Sequence, residues 1–162
     1  MPKATCGLAL GLLYLFDESD LDKKEGFRIT KKAADAGDPL AMGNIGNCYY
    51  YGNGTKKDRR LAKQYYRRAS DLGMDSSTTQ LGAIYHEEGD DKKAFALFKK
   101  AADRNFPEAM GWLAACYQYG YGTEKSTQAA IEWLEKAAAF GSEDAKTALR
   151  FLQEELKEAE KK

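Results

Sequence analysis

Apolar residues in this chain recur at helical spacing, in blocks separated by short polar runs with glycines. Residues 38–73 show the pattern most fully. Ala41, Ile45 and Tyr49 fall at i, i+4 and i+8, which is one face of a helix. The polar run YGNGTKKD (51–58) follows. A second stripe of Leu61, Ala62, Tyr65, Tyr66 and Ala69 then turns inward while Arg60, Lys63 and Arg67 turn out. Asp38 suits a helix cap, and Pro39 suits a first helical turn, where its missing N–H is not needed. The loop glycines Gly52 and Gly54 permit positive φ and break the helix. Gly46, beside Ile45, lets a second helix approach closely. The block therefore predicts a helix–turn–helix hairpin.

The same hairpin recurs four times. Its marks are GLLY (11–14), GNCY (46–49), GAIY (82–85) and AACY (114–117), with Tyr14, Tyr49, Tyr85 and Tyr117 at spacings of 35, 36 and 32 residues. Each block ends in alanines and a closing Gly37, Gly73, Asn105 or Gly141, the residues that best tolerate a left-handed helix cap. A period in this range means stacked supersecondary units, which usually serve as extended binding surfaces. The inner loop varies: YGYGTEKS (119–126) matches 51–58, whereas EEGDDKKA (87–94) is shorter and joins its helices by a tighter turn. After Ser142 a last stripe of Ala145, Ala148, Leu149, Leu152, Leu156 and Ala159 predicts a terminal capping helix.

The expected fold is all-α: a right-handed α-solenoid of four helix–turn–helix repeats (about 4–37, 38–73, 74–105 and 106–141) plus a capping helix at 142–160, in one domain over 1–162. Helices are expected near 4–16, 21–36, 39–51, 58–72, 75–88, 91–104, 107–119, 126–140 and 143–160. The first helix of each unit is expected to line the concave side.

The combined pattern A-x3-LG-x2-Y-x2-G-x-G-x3-D-x3-A-x6-A-x3-G resembles the SEL-1-like repeat, a relative of the tetratricopeptide repeat. In the second unit it is carried by Ala41, Ile45, Gly46, Tyr49, Gly52, Gly54, Asp58, Ala62, Ala69 and Gly73. The fourth carries it on Ala109, Leu113, Tyr117, Gly120, Gly122, Ala130, Ala137 and Gly141, with Ala114 for the glycine and Ser126 for the aspartate. The first unit lacks both loop glycines and the third lacks the whole loop. The resemblance implies the solenoid fold and says little about function, because such repeats serve adaptors, secretion-associated and regulatory proteins alike. Some members carry a disulfide within each unit, and the cysteines here do not match that arrangement.

Composition narrows the function classes. The 25 basic and 25 acidic residues cancel, which argues against broad electrostatic binding to nucleic acid or membrane. The three cysteines, Cys6, Cys48 and Cys116, lack a pairing interval and read as buried free thiols. The segment 4–16 is too short to span a bilayer and runs into DESD without a small-residue cleavage site, so it reads as the first repeat helix and a cytoplasmic setting is expected. His86 is the one histidine and is expected at the end of a first helix, beside the inner loop. No GxGxxG, GxxxxGK, GxSxG or HExxH occurs, so no enzyme, metal or cofactor is expected. The pairs Asp90–Asp91 and Glu154–Glu155 read as solvated helix ends. The run KKDRRLAKQYYRR (56–68) is the one strongly basic segment; it reads as a solvated face, with nucleic-acid binding as the less favoured role.

The expected role is a non-catalytic protein–protein interaction module, an adaptor or scaffold that binds another protein or an extended peptide on its concave surface. The alternative is a bacterial immunity or inhibitor protein that blocks a toxin or enzyme. Tetratricopeptide relatives bind through first-helix positions two, six and nine residues after the marker alanine. The resemblance transfers these to Gly43, Asn47 and Tyr50, to Thr79, Ala83 and His86, and to Gly111, Ala115 and Gln118. That set predicts an open groove floor with Tyr50 as its main contact. Loop tyrosines Tyr51, Tyr119 and Tyr121 form a second candidate edge, since tyrosine is enriched at interfaces. The first helix is apolar nearly all round, with Leu8, Leu12, Leu15 and Phe16. It meets a partner or a second copy, or follows a missing unit, or packs as ordinary core.

Overall fold

The computed structural model describes residues 20–159. The expected helix at 4–16, with Leu8, Leu12, Leu15 and Phe16, lies outside them. Eight helices run through the described residues: α1 Asp20–Asp35, α2 Pro39–Tyr51, α3 Arg59–Asp71, α4 Asp75–Glu87, α5 Asp91–Ala102, α6 Pro107–Tyr119, α7 Thr127–Ala139 and α8 Glu143–Ala159. The fold class is an all-α helical repeat solenoid. Helices α2 and α6 match the expected spans at both ends. Several others begin one residue late or end one or two early, because capping residues such as Asp58 and Ser126 stand just outside the helical hydrogen bonding.

Two compact units divide the chain, 1–78 and 79–162. In the first, α2 packs against α1 and α3. Its core joins Ala33, Ala34, Ala41, Met42, Ile45, Tyr65 and Ala69, with Phe27, Tyr49 and Met74 against them. The marker Tyr49 meets Phe27 of α1 edge-on, with ring centroids 5.4 Å apart, and stacks on Tyr65 of α3 at 5.7 Å. In the second unit α6 packs against α5 and α7, and α7 against α8. The equivalent tyrosine, Tyr117, meets Phe95 of α5 edge-on at 5.5 Å. The marker tyrosine thus ties its own helix to the second helix of the repeat before it.

Caps form as the residue types require. The Asp38 carboxylate accepts from the Ala41 N–H at 2.8 Å, and Asp58 accepts from Leu61 at 2.9 Å. Ser126, standing where the repeat elsewhere has aspartate, accepts from Ala129 at 3.1 Å. The closing residues Gly37, Gly73, Asn105 and Gly141 all have positive φ, from 64° to 97°.

The two loop glycines have different duties. Gly52 and Gly120 are left-handed helix ends. Gly54 and Gly122 also have positive φ, but their main constraint is contact: a Cβ on Gly54 would strike the Lys23 carbonyl of α1, and one on Gly122 the Asp91 carbonyl of α5. Each loop lies directly on the first turn of the second helix of the repeat before it.

The expected capping stripe is only partly covered. Ala145 and Leu152 of α8 are buried and Leu149 is half-buried, but Ala148 is exposed and Leu156 is 38% exposed. Phe140 and Phe151 are also exposed. Helix α8, of 17 residues, is longer than the 13-residue α7 against which it packs.

Gly46 admits the ring of Tyr66, whose nearest atom lies 2.6 Å from where a Cβ would stand, and Gly82 admits Phe98 at 2.7 Å. Both rings are buried, so neither can swing aside. Gly46→Ala is expected to destabilise by about 1–3 kcal/mol through overpacking, offset by up to ~1 kcal/mol of helix propensity. Gly111, whose Cβ position is open space, serves as the control: Gly111→Ala should be neutral or slightly stabilising in urea unfolding.

Cys48 and Cys116 are free and buried, and burial pushes each thiol from 9.0 up to about 11. The folded state therefore holds protons that the unfolded chain releases above its ordinary thiol range. Stability is expected to be unaffected by these groups below pH 9 and to fall between about pH 9 and 11. With Cys6 replaced by Ser, a thiol reagent at pH 8 should label the native protein slowly, with thiolate about a hundredfold depleted, and label it fast in urea.

Candidate partner-binding faces

In the first unit the candidate residues sit on the last turns of α2. Asn47 is exposed, and its amide oxygen accepts a hydrogen bond from the Tyr66 hydroxyl at 2.6 Å. Burial raises the Tyr66 pKa well above the ordinary phenol value, so this hydroxyl stays a donor. The contact fixes the Asn47 side chain from beneath. Tyr50 is half-buried and Tyr51 is 63% exposed, and their rings meet edge-on at 4.8 Å. The Arg59 guanidinium stands 5.7 Å from the Tyr50 ring centroid. Gly43 does not contribute open floor as expected: Ser77 Oγ of α4 lies 2.8 Å from its would-be Cβ.

In the second unit Thr79 requires a correction. It is 1% exposed and presents no surface to a partner. This position of α4 faces a covered surface. His86, in contrast, is half-buried at the end of α4, with Nδ1 2.6 Å from the Asp91 carboxylate. Asp91 is therefore engaged, and Asp90 caps α5 by accepting from Lys93 at 3.3 Å, so the pair is no mere solvated helix end.

The His86 ring lies 4.6 Å from Tyr121 and 6.0 Å from Trp112, and Tyr121 lies 5.6 Å from the exposed Tyr119. His86, Tyr119 and Tyr121 are thus brought into one aromatic cluster, while Gln118 is half-buried on the same α6 as Tyr119.

Trp112, a position the repeat pattern does not mark, joins this cluster. It stacks on Phe98 at 5.1 Å with planes 6° apart. Its signal in the sequence was its place, one residue after the groove position Gly111. Beside it runs a groove of about 350 Å³ between α6 and the start of α8, with Gly111 and Ala115 on its floor.

The basic run 56–68 does not offer aromatic stacking. Tyr65 is 8% exposed and Tyr66 1%, while Arg59, Arg60, Arg67 and Arg68 reach solvent. Among the described residues no group of His, Cys, Asp or Glu is arranged to hold a metal ion, and no helix is long and apolar enough to cross a membrane.

Comparison with known proteins agrees with this architecture. The Sel1 repeat pattern matches residues 2–38, 39–74, 77–106 and 107–142. DAP3-binding cell death enhancer 1 of Rattus norvegicus is 26% identical over 171 aligned residues, covering 81% of this chain and 34% of that protein. The chain thus spans about a third of that relative's length. The crystal structure of a protective antigen from uropathogenic Escherichia coli superposes with a TM-score of 0.82 at 24% identity, over 94% of this chain and 34% of the other. An immunity protein of Pseudomonas aeruginosa superposes with a TM-score of 0.67 at 23% identity, over 90% of this chain and 56% of the other. These two likenesses carry the fold alone.

The link from Tyr66 to Asn47 can be measured. Tyr66→Phe and Asn47→Ala should each cost about 1 kcal/mol, and the double variant should cost little more than either single one. Full additivity in urea unfolding would show that the hydrogen bond contributes nothing.

Proposed function

The chain belongs to the Sel1 repeat family, and we propose on that premise that it is a non-catalytic module binding another protein through the first-helix faces of its repeats. Sel1 repeat proteins are in general protein–protein interaction modules. The observation that carries the proposal for this chain is the placement of its aromatic side chains. Tyr51 and Tyr119, at the ends of the first helices α2 and α6, are both more than half exposed. Each has an aromatic neighbour holding it, Tyr50 for the first and Tyr121 for the second. Large rings fixed in place at the surface lose little entropy on contact and make effective interface anchors.

The contact set proposed is Asn47, Tyr50 and Tyr51 in the first unit and His86, Gln118, Tyr119 and Tyr121 in the second, joined by Trp112. Asn47, held by Tyr66, keeps its amide N–H donors for a partner's backbone. The likeness to an immunity protein keeps the inhibitor role as the second reading, distinguished by its outcome: a captured partner would be an enzyme whose activity stops on binding. Nucleic-acid binding through 56–68 is disfavoured by the burial of its tyrosines.

The test is capture of the partner from the native cell, identified by mass spectrometry, followed by affinity measurement. Replacing both Asn47 and Tyr50 with alanine should weaken binding by roughly 2 kcal/mol, about thirtyfold, with the helical circular dichroism spectrum retained. Unchanged affinity in the folded double variant would remove the first-unit face from the site.

A further inference from the structure

The groove beside Trp112 carries two carboxylates that no basic residue of its lining answers. Its walls include the carboxylates of Glu108 on the first turn of α6 and Asp144 on the first turn of α8, and no basic residue lines it. Neither carboxylate has a hydrogen bond or ion pair among the described residues. The nearest lysine on α8, Lys146, is engaged by Glu143 at 2.7 Å. Partial desolvation in the groove raises the Glu108 pKa above the usual carboxylate value. The floor is open, since a Cβ on Gly111 would meet nothing within 4 Å. Ala115 continues that floor, and the Trp112 indole, held by its stack on Phe98, forms a fixed wall.

Residues at the N-termini of α6 and α8 also line this groove, and helix N-termini favour an anion. Each is equivalent to roughly +0.5 charge at most. Two ionised carboxylates outweigh them and leave the groove net negative. The start of α6 is weaker still as a donor, because Pro107 lacks an N–H and Phe106 provides no side-chain cap.

We propose that this groove receives an arginine side chain from an extended segment of a partner protein. A planar guanidinium matches the site in three respects. Its fixed fork of donors can engage a carboxylate bidentately, it packs on an indole, and it is weakly hydrated for a cation. At about 350 Å³ the groove holds one long side chain with the backbone that bears it, at the low end of small-ligand sites. The assignment deepens the protein-binding reading above, by naming what the second unit's face selects.

The test uses the full chain and three tripeptides, acetyl-Gly-X-Gly-amide with X arginine, citrulline or glutamate. The indole N–H signals of Trp112 and Trp133 are followed by NMR and assigned with Trp133→Phe. The arginine peptide should move the Trp112 signal saturably and leave Trp133 in place. Citrulline, the neutral isostere, and glutamate should not. Glu108→Gln should weaken the arginine peptide by about tenfold, the worth of one charge-assisted hydrogen bond. Gly111→Leu, which fills open space, should abolish binding while thermal unfolding is retained.

A stationary Trp112 signal, an equal response to citrulline or glutamate, or full affinity in a folded Gly111→Leu variant would each overturn the assignment. Should the tripeptide fail while partner capture still depends on Asn47 and Tyr50, only the groove's occupant is wrong. Should capture fail while the tripeptide binds, the groove stands and the first-unit face falls.

Discussion

From the second repeat onward, each repeat rests on the close meeting of a residue with little or no side chain on its first helix and a large one on its second. Gly46 receives the Tyr66 ring and Gly82 receives Phe98, both closer than a Cβ would permit. The fourth repeat has traded both partners, with Ala114 where the glycine would be and Leu134 where the ring would be; both are buried. The added methyl is offset by the narrower aliphatic side chain, as close packing demands. Short spacing between the helices then leaves room only for alanine at neighbouring positions, which explains Ala41, Ala62 and Ala69, all fully buried. The alanine-rich ends follow from that spacing rather than from helix propensity.

A second constraint fixes one repeat on the last. Gly54 on the Lys23 carbonyl and Gly122 on the Asp91 carbonyl place each loop against the start of the preceding second helix. Together with the edge-on pairs Phe27–Tyr49 and Phe95–Tyr117, this makes a two-point attachment within each unit. One point is backbone on backbone and tolerates no side chain. The other is ring on ring and tolerates exchange among aromatics.

What the sequence disclosed and what it withheld divide along the same line. Local signals, such as Asp38 before Pro39 or Gly73 after the alanines, gave caps and helix ends almost to the residue, because their physics involves only a few neighbours. Gly54 was legible as a turn residue but not as a contact, since the carbonyl it meets is 31 positions earlier in the chain. Lateral packing was the least legible. Periodicity cannot distinguish Thr79, which is covered, from His86 two turns on, which is not. The register transferred from the resemblance also placed Gly43 and Gly111 alike, although Ser77 closes over the first and a Cβ on the second would meet nothing within 4 Å. Trp112 was overlooked because its position is one step off the transferred register, where the repeat pattern sets no residue.

That freedom is where the repeats of this chain differ from one another. The positions bound by packing are nearly the same in the second and fourth repeats, while Asn44 and Trp112, which occupy equivalent places, share no chemistry. Charge is distributed in the same way. The whole chain is neutral, yet the outer face of α3 is basic and the groove between α6 and α8 is acidic. Bulk neutrality excludes a long-range field that would gather nucleic acid or membrane indiscriminately. It does not exclude local recognition, because salt screens exposed charges within about 10 Å while a partly desolvated carboxylate keeps its strength at contact. A solenoid with cancelling charge and unlike faces is therefore suited to select a partner at short range rather than to attract many from afar.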